Sequence, residues 1–354
     1  MKVLMSADCI GGVWTYALEL STQLCARGHD VLLAVTGGEL TRGQRRDVEL
    51  LGIEWDARPF RLEWMRDAWS EVAAAGEWLL DLAEVHDSDV VHLNDYSHAA
   101  LPWGRPVMVV AHSDVVTWWR AVHGADPPPE WERYRRQVAR GLAAADLVVV
   151  PTEALREDLH NAYGITSTTT VVHNGRTGYD THEAKRDVIV AAGRVWDEAK
   201  NVALAVRAAD GLRWPLLVAG SGDVPGGGVL GPLEGAQLRR LLAQAQIFVE
   251  PARYEPFGLA ALEAALARCA LVLGDIASLR EVWGDAATYI DPSDQNGLRA
   301  ALQSLIDDRA ALTERQAAAA ERAARFSPQI MATAYEQLYA WLCGDRAGQV
   351  QTRS

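Results

Sequence analysis

Two glutamates stand in an otherwise apolar stretch of the sequence. The segment "RYEPFGLAALEAALARC", residues 253–269, holds Glu255 just before a proline and Glu263 inside a run of alanine and leucine. A carboxylate in a packed segment is costly unless it has a partner or a ligand. Glu255 could accept a hydrogen bond from a sugar hydroxyl, and Glu263 could accept from the two hydroxyls of a ribose. The alternative is that one glutamate caps a helix and the other forms a salt bridge in the core.

The backbone after Glu255 predicts a second kind of binding group. The stretch follows a strand-like run, and Pro256 suits the first turn of a helix. A helix that begins here presents free backbone amides, which could hold polar oxygens of a sugar or its phosphate. These amides belong to Phe257, Gly258 and Leu259.

One arginine and one lysine follow another strand-like run. The segment "GRVWDEAKN" places Arg194 and Lys200 after "DVIVAA". Lysine occurs only at positions 2, 185 and 200, whereas arginine is abundant. The presence of lysine at position 200 therefore favours a function for its compact point charge. An arginine fork and a lysine beside a helix start could neutralise a diphosphate leaving group without a metal ion. The alternative is a solvated surface pair.

Glycines follow two further strand-like runs. Gly11 and Gly12 open the first helix, where paired glycines let the backbone approach a ligand and helix amides attract phosphate. Residues 218–228, "VAGSGDVPGGG", form a glycine-rich loop that could line a nucleotide site. Neither segment completes a G-x-G-x-x-G or G-K-[ST] pattern. An ordinary tight turn and a flexible surface loop are the respective alternatives.

Strand-like runs alternate with helix-like segments along the chain, which predicts a parallel sheet covered by helices. The candidate residues follow strands of this sheet, so the sheet would position them. The strand-like runs lie at 2–7, 30–36, 89–94, 106–112, 146–151, 168–174, 187–194, 215–222, 246–251, 269–275 and 287–292. At 354 residues, the chain exceeds what one hydrophobic core usually supports. We therefore predict an α/β protein with two Rossmann-like, doubly wound domains that face each other across a cleft. Ligands of such sheets bind beyond the carboxyl ends of the strands.

The predicted domains are residues 1–175 and 176–327, with a polar linker at 175–186. The C-terminal segment 328–354 is predicted to be helical and to pack back on the first domain.

Composition excludes several functions. The net charge of -13 leaves no basic field for nucleic acid or an anionic bilayer. No run approaches about 18 consecutive apolar residues, so no membrane span is expected. The start of the chain fits a buried strand better than a secretory signal, which favours a cytoplasmic protein. The four cysteines are scattered without a C-x-x-C pair, so neither a zinc site nor a disulfide framework is expected.

Several motifs resemble those of a known family. The segment "PARYEPFGLAALEAALA" resembles the E-x7-E signature of retaining glycosyltransferases with the GT-B fold, in particular glycosyltransferase family 4. "GRVWDEAKN" is similar to that family's G-R-x-x-x-x-K-[NG] segment, "VVHNG" to its N-G linker, and "SLREVWGDAATYIDPSD" to a further stretch after the E-x7-E helix. The resemblance covers nearly the whole chain. It departs at "RCALVLG", where the family usually has G-x-P-V-V-A.

The resemblance implies transfer of a sugar from a nucleoside-diphosphate sugar to an acceptor, with retention at the anomeric carbon and without a metal ion or other cofactor. It also implies roles for single residues. Arg194 and Lys200 would bind the donor diphosphate, and Glu263 would bind the ribose. Glu255, with the three backbone amides that follow it, would bind the donor sugar and phosphate. The remaining donor-binding residues would be Gly11 and Gly12 near the diphosphate and Leu233, in the segment 230–235, near the base.

A histidine completes the implied catalytic set. His112 ends the strand-like run "PVMVVAH" and matches the position where the family places a histidine close to the anomeric carbon. A histidine at a strand end can donate to a sugar hydroxyl, and His92 and His98 are rivals on the same rim.

The acceptor is not identified by these motifs. Tryptophans between residues 113 and 132 could wall a pocket for a flat or apolar small molecule or for a glycan. They are Trp118, Trp119 and Trp131. The alternative is a core-packed or membrane-touching surface.

Two other functions fit the same architecture. A nucleotide-sugar epimerase would need no acceptor, and a catalytically silent protein would bind a sugar nucleotide without turning it over. The segment "DSD", residues 87–89, resembles the D-x-D metal site of another glycosyltransferase fold, but its place directly before a strand favours a polar turn.

Overall fold

The computed structural model describes residues 1–178 and 183–351, with side chains through residue 344 at the C-terminal end. The chain folds as two compact units. Unit 1 comprises Met1–Thr117, Asp126–Gly175 and the segment from Pro328 onwards, and unit 2 comprises Trp118–Ala125 and Arg176–Ser327. Residues 179–182 of the predicted linker and residues 352–354 of the predicted C-terminal segment lie outside the described residues.

Unit 1 is built on a parallel sheet that has seven strands among the described residues. The strands are β1 (Lys2–Asp8), β2 (Asp30–Thr36), β3 (Glu54–Ala57), β4 (Val90–Leu93), β5 (Val107–Val110), β6 (Leu147–Val150) and β7 (Thr169–Val171). They lie in the order β3-β2-β1-β4-β5-β6-β7. The central strands are buried along almost their whole length, which is why they read as continuous apolar runs.

Helices connect the strands of unit 1. They are α1 (Gly12–Ala26), α2 (Arg42–Leu51), α3 (Trp69–His86), α4 (Val115–His123), α5 (Glu132–Ala144) and α6 (Glu153–Tyr163). A short 3₁₀ helix, Ser97–Ala100, follows β4. The hydroxyl groups of Thr41 and Thr152 cap α2 and α6, so threonine defines the start of both helices. Helix α4 begins in unit 1, and its residues from Trp118 belong to unit 2.

Unit 2 repeats this plan with a parallel sheet of six strands in the part of the chain that is described. The strands are β8 (Ile189–Ala192), β9 (Leu216–Ala219), β10 (Gly228–Val229), β11 (Ile247–Glu250), β12 (Ala270–Gly274) and β13 (Thr288–Ile290), in the order β10-β9-β8-β11-β12-β13. The helices are α7 (Val202–Ala209), α8 (Gly235–Gln244), α9 (Leu259–Leu266), α10 (Ala277–Trp283), α11 (Gln295–Asp307) and α12 (Arg309–Ala323). Two apolar cores, one on each face of the sheet, hold these layers together.

The last helix, α13 (Pro328–Gln351), is part of unit 1 and packs against α1. The ring of Tyr335 lies 6.1 Å from the ring of Tyr16 on α1. Glu336 forms ion pairs with Arg27 and with His29, the latter at 2.9 Å. The chain therefore crosses from unit 1 to unit 2 after Gly175 and returns at Pro328.

The predicted pair of doubly wound, Rossmann-like domains is confirmed, because each unit is built on a parallel sheet with this strand order. Strand order reverses between β1 and β4 in unit 1 and between β8 and β11 in unit 2. In sheets of this kind the crevice at such a reversal is the usual ligand site.

Two strands were missing from the sequence prediction. Strand β3 is a half-buried edge strand of sequence "EWDA", which carries no apolar run. Strand β10 has two residues and lies at the end of the glycine-rich segment 218–228, so part of that predicted loop is paired to β9. Each is short and lies at a sheet edge, where local sequence patterns are weakest.

Helix α9 begins at Leu259 and not at Pro256 as predicted. Gly258 precedes the helix with φ 90°, a left-handed conformation that a continuous helix from Pro256 would not contain. Glu263 therefore lies just over one turn into the helix.

The segment "DSD" forms the connection from α3 to β4. Asp87 ends α3 in the left-handed conformation, and Asp89 accepts from the backbone N–H of Lys2 at 2.7 Å. Among the described helices, none combines the length and apolar character that a bilayer crossing requires.

Candidate functional site

Lys200 lies between two carboxylates at the carboxyl ends of β8 and β11. Its Nζ donates to Glu250 Oε1 at 2.8 Å and also to Glu255 Oε2. Glu250 is the last residue of β11, and Glu255 follows in the loop before α9. All three side chains are at least four-fifths buried, so the group is a desolvated triad at the strand reversal of unit 2.

The charges of this triad are coupled. Burial raises the pKa of Glu250 to about 7, although Lys200 opposes the rise. Burial also acts to raise the pKa of Glu255, but Lys200 and the nearby backbone amides outweigh it and lower that pKa. For Lys200, burial is outweighed by the two carboxylates, which raise its pKa above the usual value. Lys200 is therefore a permanent ammonium, and Glu250 is the member that changes charge near neutral pH.

Glu255 also holds the loop that follows it. Its Oε1 accepts from the backbone N–H of Gly258 at 2.9 Å and of Phe257 at 3.4 Å. Two of the amides predicted to bind a sugar or phosphate thus point at the Glu255 carboxylate. Leu259, the third, is the first residue of α9. A ligand at these amides would have to displace or share the carboxylate.

Glu263 forms an ion pair with Arg176. Glu263 Oε1 accepts from Arg176 Nε at 2.8 Å, and both side chains are largely buried. The structure thus contains the salt bridge of Glu263 that the sequence left open as an alternative to ligand binding. Glu255 bonds the two residues before α9 and caps no amide of the helix itself. The sugar and ribose contacts of these residues stay predictions.

Arg194 follows β8 and reaches solvent. Its side chain is 38% exposed, its Nη2 donates to Asp197 Oδ2 at 2.9 Å, and its guanidinium lies 5.4 Å from the centre of the Trp196 ring. Asp197 is buried, and its other oxygen accepts from the indole N–H of Trp118 at 3.0 Å. One guanidinium edge is thus anchored and the rest remains available to an anion.

The glycine-rich loop approaches the Arg194 segment closely. A Cβ on Gly220, directly after β9, would lie 1.8 Å from the carbonyl oxygen of Gly193. Only glycine fits there, so this position requires the residue for close backbone approach. Leu233, predicted near the base, is half-buried and packs against the core of unit 2 two residues before α8.

Backbone conformation accounts for the first of the paired glycines in unit 1, and the predicted ligand contacts of both stay predictions. Gly11 has φ 84° and precedes α1, and a Cβ added to it would meet no described atom within 4 Å. Backbone conformation therefore requires glycine at position 11. Gly12 is the first residue of α1, and both glycines are exposed.

His112 lies at the carboxyl end of β5 and is neutral at pH 7. Its Nε2 is 2.7 Å from Asn94 Oδ1, and its ring meets the ring of Tyr16 edge-on at 4.7 Å. Because the amide oxygen can only accept, Nε2 carries the proton. Burial lowers the pKa of His112 to about 3.

The two rival histidines have other partners. His92 is fully buried between the hydroxyl groups of Tyr16 at 3.3 Å and Tyr339 at 2.6 Å, which gives it a place in the core. His98 Nδ1 pairs with Asp95 Oδ1 at 2.7 Å, and its Nε2 contacts the carbonyl oxygen of Val72 at 2.8 Å. Burial acts to lower the pKa of His98, but Asp95 outweighs it and raises the value to about 9.

A cavity of about 70 Å³ that polar and apolar side chains line together lies at the carboxyl ends of β1, β4 and β5. Its polar lining includes Asp8, Glu63, Asn94, Asp95, His98 and His112. Glu63 is buried and accepts from the backbone N–H groups of Tyr96 at 3.2 Å and Ser97 at 2.9 Å. Burial, reinforced by the charge of Asp95, raises the pKa of Glu63. Sequence reasoning missed Glu63 and Asp95, although the position of Asp95 just after β4 was an available signal.

The predicted aromatic wall does not form within one unit. Trp118 and Trp119 cluster with His123 in unit 2, with ring centres 4.7 to 5.7 Å apart. Trp131 belongs to unit 1, where its ring meets the ring of Tyr134 at 5.8 Å.

Comparison with known proteins gives a consistent result. Residues 10–176 match the family model described as Glycosyltransferase Family 4, and residues 186–308 match Glycosyl transferases group 1. Glycogen synthase from Mycobacterium tuberculosis is 42% identical over 113 residues, which is 31% of this chain and 27% of that relative. The match thus spans about a quarter of the relative's length.

Solved structures show the same fold over the whole chain. Sucrose-phosphate synthase from Thermosynechococcus elongatus has a TM-score of 0.78 at 18% identity, with 98% of this chain and 100% of that chain covered. HepE from Anabaena, in complex with UDP-glucose, has a TM-score of 0.75 at 15% identity, with 97% and 100% covered.

Proposed function

Because this chain belongs to the glycosyltransferases of the GT-B fold, with a family 4 domain followed by a group 1 domain, we propose that it transfers a sugar from a nucleoside-diphosphate sugar to an acceptor. We propose retention at the anomeric carbon and no requirement for a metal ion. The observation that carries the proposal is the pair of cations, Arg194 and buried Lys200, at the strand reversal of unit 2. The similarity to HepE, solved with UDP-glucose, makes UDP the first nucleotide to test.

The two cations have donors to spare for a diphosphate. An ammonium has three N–H groups, and the two carboxylates account for two of those of Lys200. Arg194 uses one edge for Asp197. Both cations would stabilise the negative charge that develops on the leaving diphosphate, which is the largest electrostatic requirement of this reaction. A fixed pair of side-chain cations would serve in place of a metal ion.

Glu255 and Glu263 would bind the donor by exchanging partners. Glu255 would turn from the amides of Phe257 and Gly258 to a sugar hydroxyl and leave those amides to the donor's oxygens. Glu263 has a second oxygen beside the one that Arg176 contacts, and it would accept from the ribose.

In unit 1, this cavity would receive a hydroxyl-bearing part of the acceptor. Its carboxylates, amide and imidazoles suit a molecule that carries hydroxyl groups, because each can accept from or donate to a hydroxyl. His112, neutral and with its Nε2 proton directed at Asn94, would contact the transferred sugar through hydrogen bonding and would not act as a protonated acid. Of the acceptors that the sequence left open, an apolar small molecule or a glycan, these groups favour the glycan.

The test is calorimetric binding of UDP, GDP, ADP and dTDP in the presence of a chelator. We expect micromolar binding of one nucleotide, weakened at least about tenfold in Arg194→Gln and Glu263→Gln. Glu321→Gln, an exposed glutamate on α12, is the matched control and should bind like the wild type. Absence of binding to all four nucleotides would overturn the donor site.

The reaction itself is tested with the matching nucleotide sugar. Turnover that needs an acceptor and gives a product with the anomeric configuration of the donor supports the proposal. Isomerisation of the donor without an acceptor would identify an epimerase, and tight binding without either reaction would identify a silent binding protein.

A further inference from the structure

Three potential metal ligands converge at the edge of unit 1 opposite the strand ends that carry the cavity. Asp30 begins β2, Glu54 begins β3 and His86 ends α3. One ligand atom from each lies within 4.8 Å of the others. Leu32 pairs with Glu54 in the β2–β3 register, so Asp30 lies two residues before the partner of Glu54 and the two carboxylates are diagonal neighbours at the amino ends of adjacent strands.

The imidazole of His86 is buried and aimed into this cluster. Its side chain is 6% exposed, and its Nδ1 lies 2.9 Å from the hydroxyl group of Ser88. Its Nε2 is buried and forms no hydrogen bond with any described residue. The nearest carboxylate oxygen, Asp30 Oδ1, is 3.5 Å away. A buried nitrogen is usually paired, so an unpaired one beside two carboxylates indicates a ligand.

The charge of the cluster also favours a bound cation. Within the described ranges, neither Asp30 nor Glu54 forms an ion pair with a lysine or arginine. Lys2 pairs with Asp30 in the β1–β2 register, and its ammonium group donates to the backbone carbonyl of His86 at 3.0 Å. The three side-chain ligands therefore carry two negative charges and one imidazole, and the one adjacent ammonium is bonded to backbone.

We propose that Asp30, Glu54 and His86 bind a divalent cation of the zinc type. One imidazole and two carboxylates match the ligands that Zn²⁺ takes, with water in the fourth position. Mg²⁺ and Ca²⁺ prefer all-oxygen sites with more ligands, which makes them poorer fits. The hydroxyl oxygen of Ser88 would accept a hydrogen bond from Nδ1–H of His86. This would leave the Nε2 lone pair for the ion, as partners of metal-bound histidines do.

The ion would act on stability and not on sugar transfer. It would join the starts of two strands to the end of a helix, and a ligand that binds only the folded state stabilises that state. The site belongs to the amino ends of the strands, whereas the candidate transfer residues follow carboxyl ends.

The test uses the full chain without an affinity tag, freed of metal by a chelator and dialysis. Titration with ZnCl₂ should show one site of micromolar or tighter affinity and a rise in melting temperature. The double variant Asp30→Asn/Glu54→Gln changes two exposed side chains and should lose at least about a hundredfold in affinity, as expected when two ligands are removed. The matched control, Glu49→Gln/Asp81→Asn, changes two exposed carboxylates on α2 and α3 and should bind like the wild type.

A separate readout reports on the histidine. The Nε2 resonance of His86 in ¹⁵N NMR should shift on addition of Zn²⁺ to the wild type and not to the double variant. Binding weaker than millimolar, or zinc binding that the double variant retains in full, would overturn the proposal.

Discussion

The indole N–H of Trp118 donates to Asp197 Oδ1 at 3.0 Å, and the other oxygen of the same carboxylate holds Arg194 at 2.9 Å. Asp197 Oδ1 also accepts from the backbone N–H of Ala199 at 3.0 Å. The carboxylate is buried and fully used, so its orientation is set by three donors. Trp118 is therefore a positioning residue for the arginine that we assign to the diphosphate.

Replacing Trp118 with phenylalanine should weaken donor binding. The variant removes one hydrogen bond to a buried carboxylate and keeps a smaller aromatic ring at the position, so Arg194 loses part of its anchoring. We expect the donor KM to rise about five- to tenfold, which corresponds to a loss of about 1–1.4 kcal/mol, with little change in kcat. Steady-state kinetics measures the split. Trp119→Phe is the control, since Trp119 contributes ring contacts with Trp118 and His123, and equal effects of the two changes would contradict the assignment.

Replacing Lys200 with methionine should destabilise unit 2 strongly. The change leaves Glu250 and Glu255 buried without their shared cation, a situation that costs about 3–5 kcal/mol. Urea unfolding measures the loss. Adding Glu255→Gln to the methionine variant should recover part of it, because Glu255 is the carboxylate that stays ionised, whereas the pKa of Glu250 rises further once Lys200 is gone and Glu250 takes up a proton. A single variant as stable as the wild type would show that the triad is not coupled in this way.

His98 should make the stability of the protein depend on pH. Its pKa is raised from 6.5 to about 9, chiefly by Asp95 acting against burial, so the folded state holds the proton more tightly than the unfolded chain. The resulting stabilisation, at most about 3 kcal/mol, is fully present below pH 6.5 and disappears as the pH rises through about 9.

The measurement is the difference in unfolding free energy between the wild type and His98→Gln from pH 6 to pH 10. Groups that titrate identically in both proteins cancel in this difference. A difference that stays constant over the whole range would contradict the pairing of His98 with Asp95 as a charged pair.

Two helical glycines should respond to alanine with opposite signs. A Cβ on Gly141, in α5, would lie 1.8 Å from the carbonyl oxygen of Tyr96, so the helix could not approach the loop that carries Asp95 and His98. We expect Gly141→Ala to cost more than about 2 kcal/mol, by forcing backbone apart in a packed core. Around Gly344, in α13, no described atom lies within 4 Å of the Cβ position, and alanine there should gain up to about 1 kcal/mol by helix propensity alone. Thermal unfolding of both variants measures these changes in stability. A Gly141→Ala variant as stable as the wild type would contradict the close contact.

The sequence alone determined the architecture and the places where chemistry could occur. The buried strands carry continuous apolar runs, because both their faces are covered, and their alternation with helices allows a parallel sheet to be predicted. The half-buried edge strand Glu54–Ala57 has no such run and was missed. Arg194, Lys200 and Glu255 could be selected because each follows a strand, and strand ends can be read locally.

Tertiary structure decided which partners these residues have. Lys200 and Glu250 are 50 residues apart in the chain, and Glu63 meets Ser97 across 34, so no local pattern relates them. Apolar periodicity reports how a segment is buried, whereas the pairing of buried polar groups depends on which strand ends the fold brings together. The same holds for Asp30, Glu54 and His86, three residues with no motif that become neighbours only because two strands start where one helix ends.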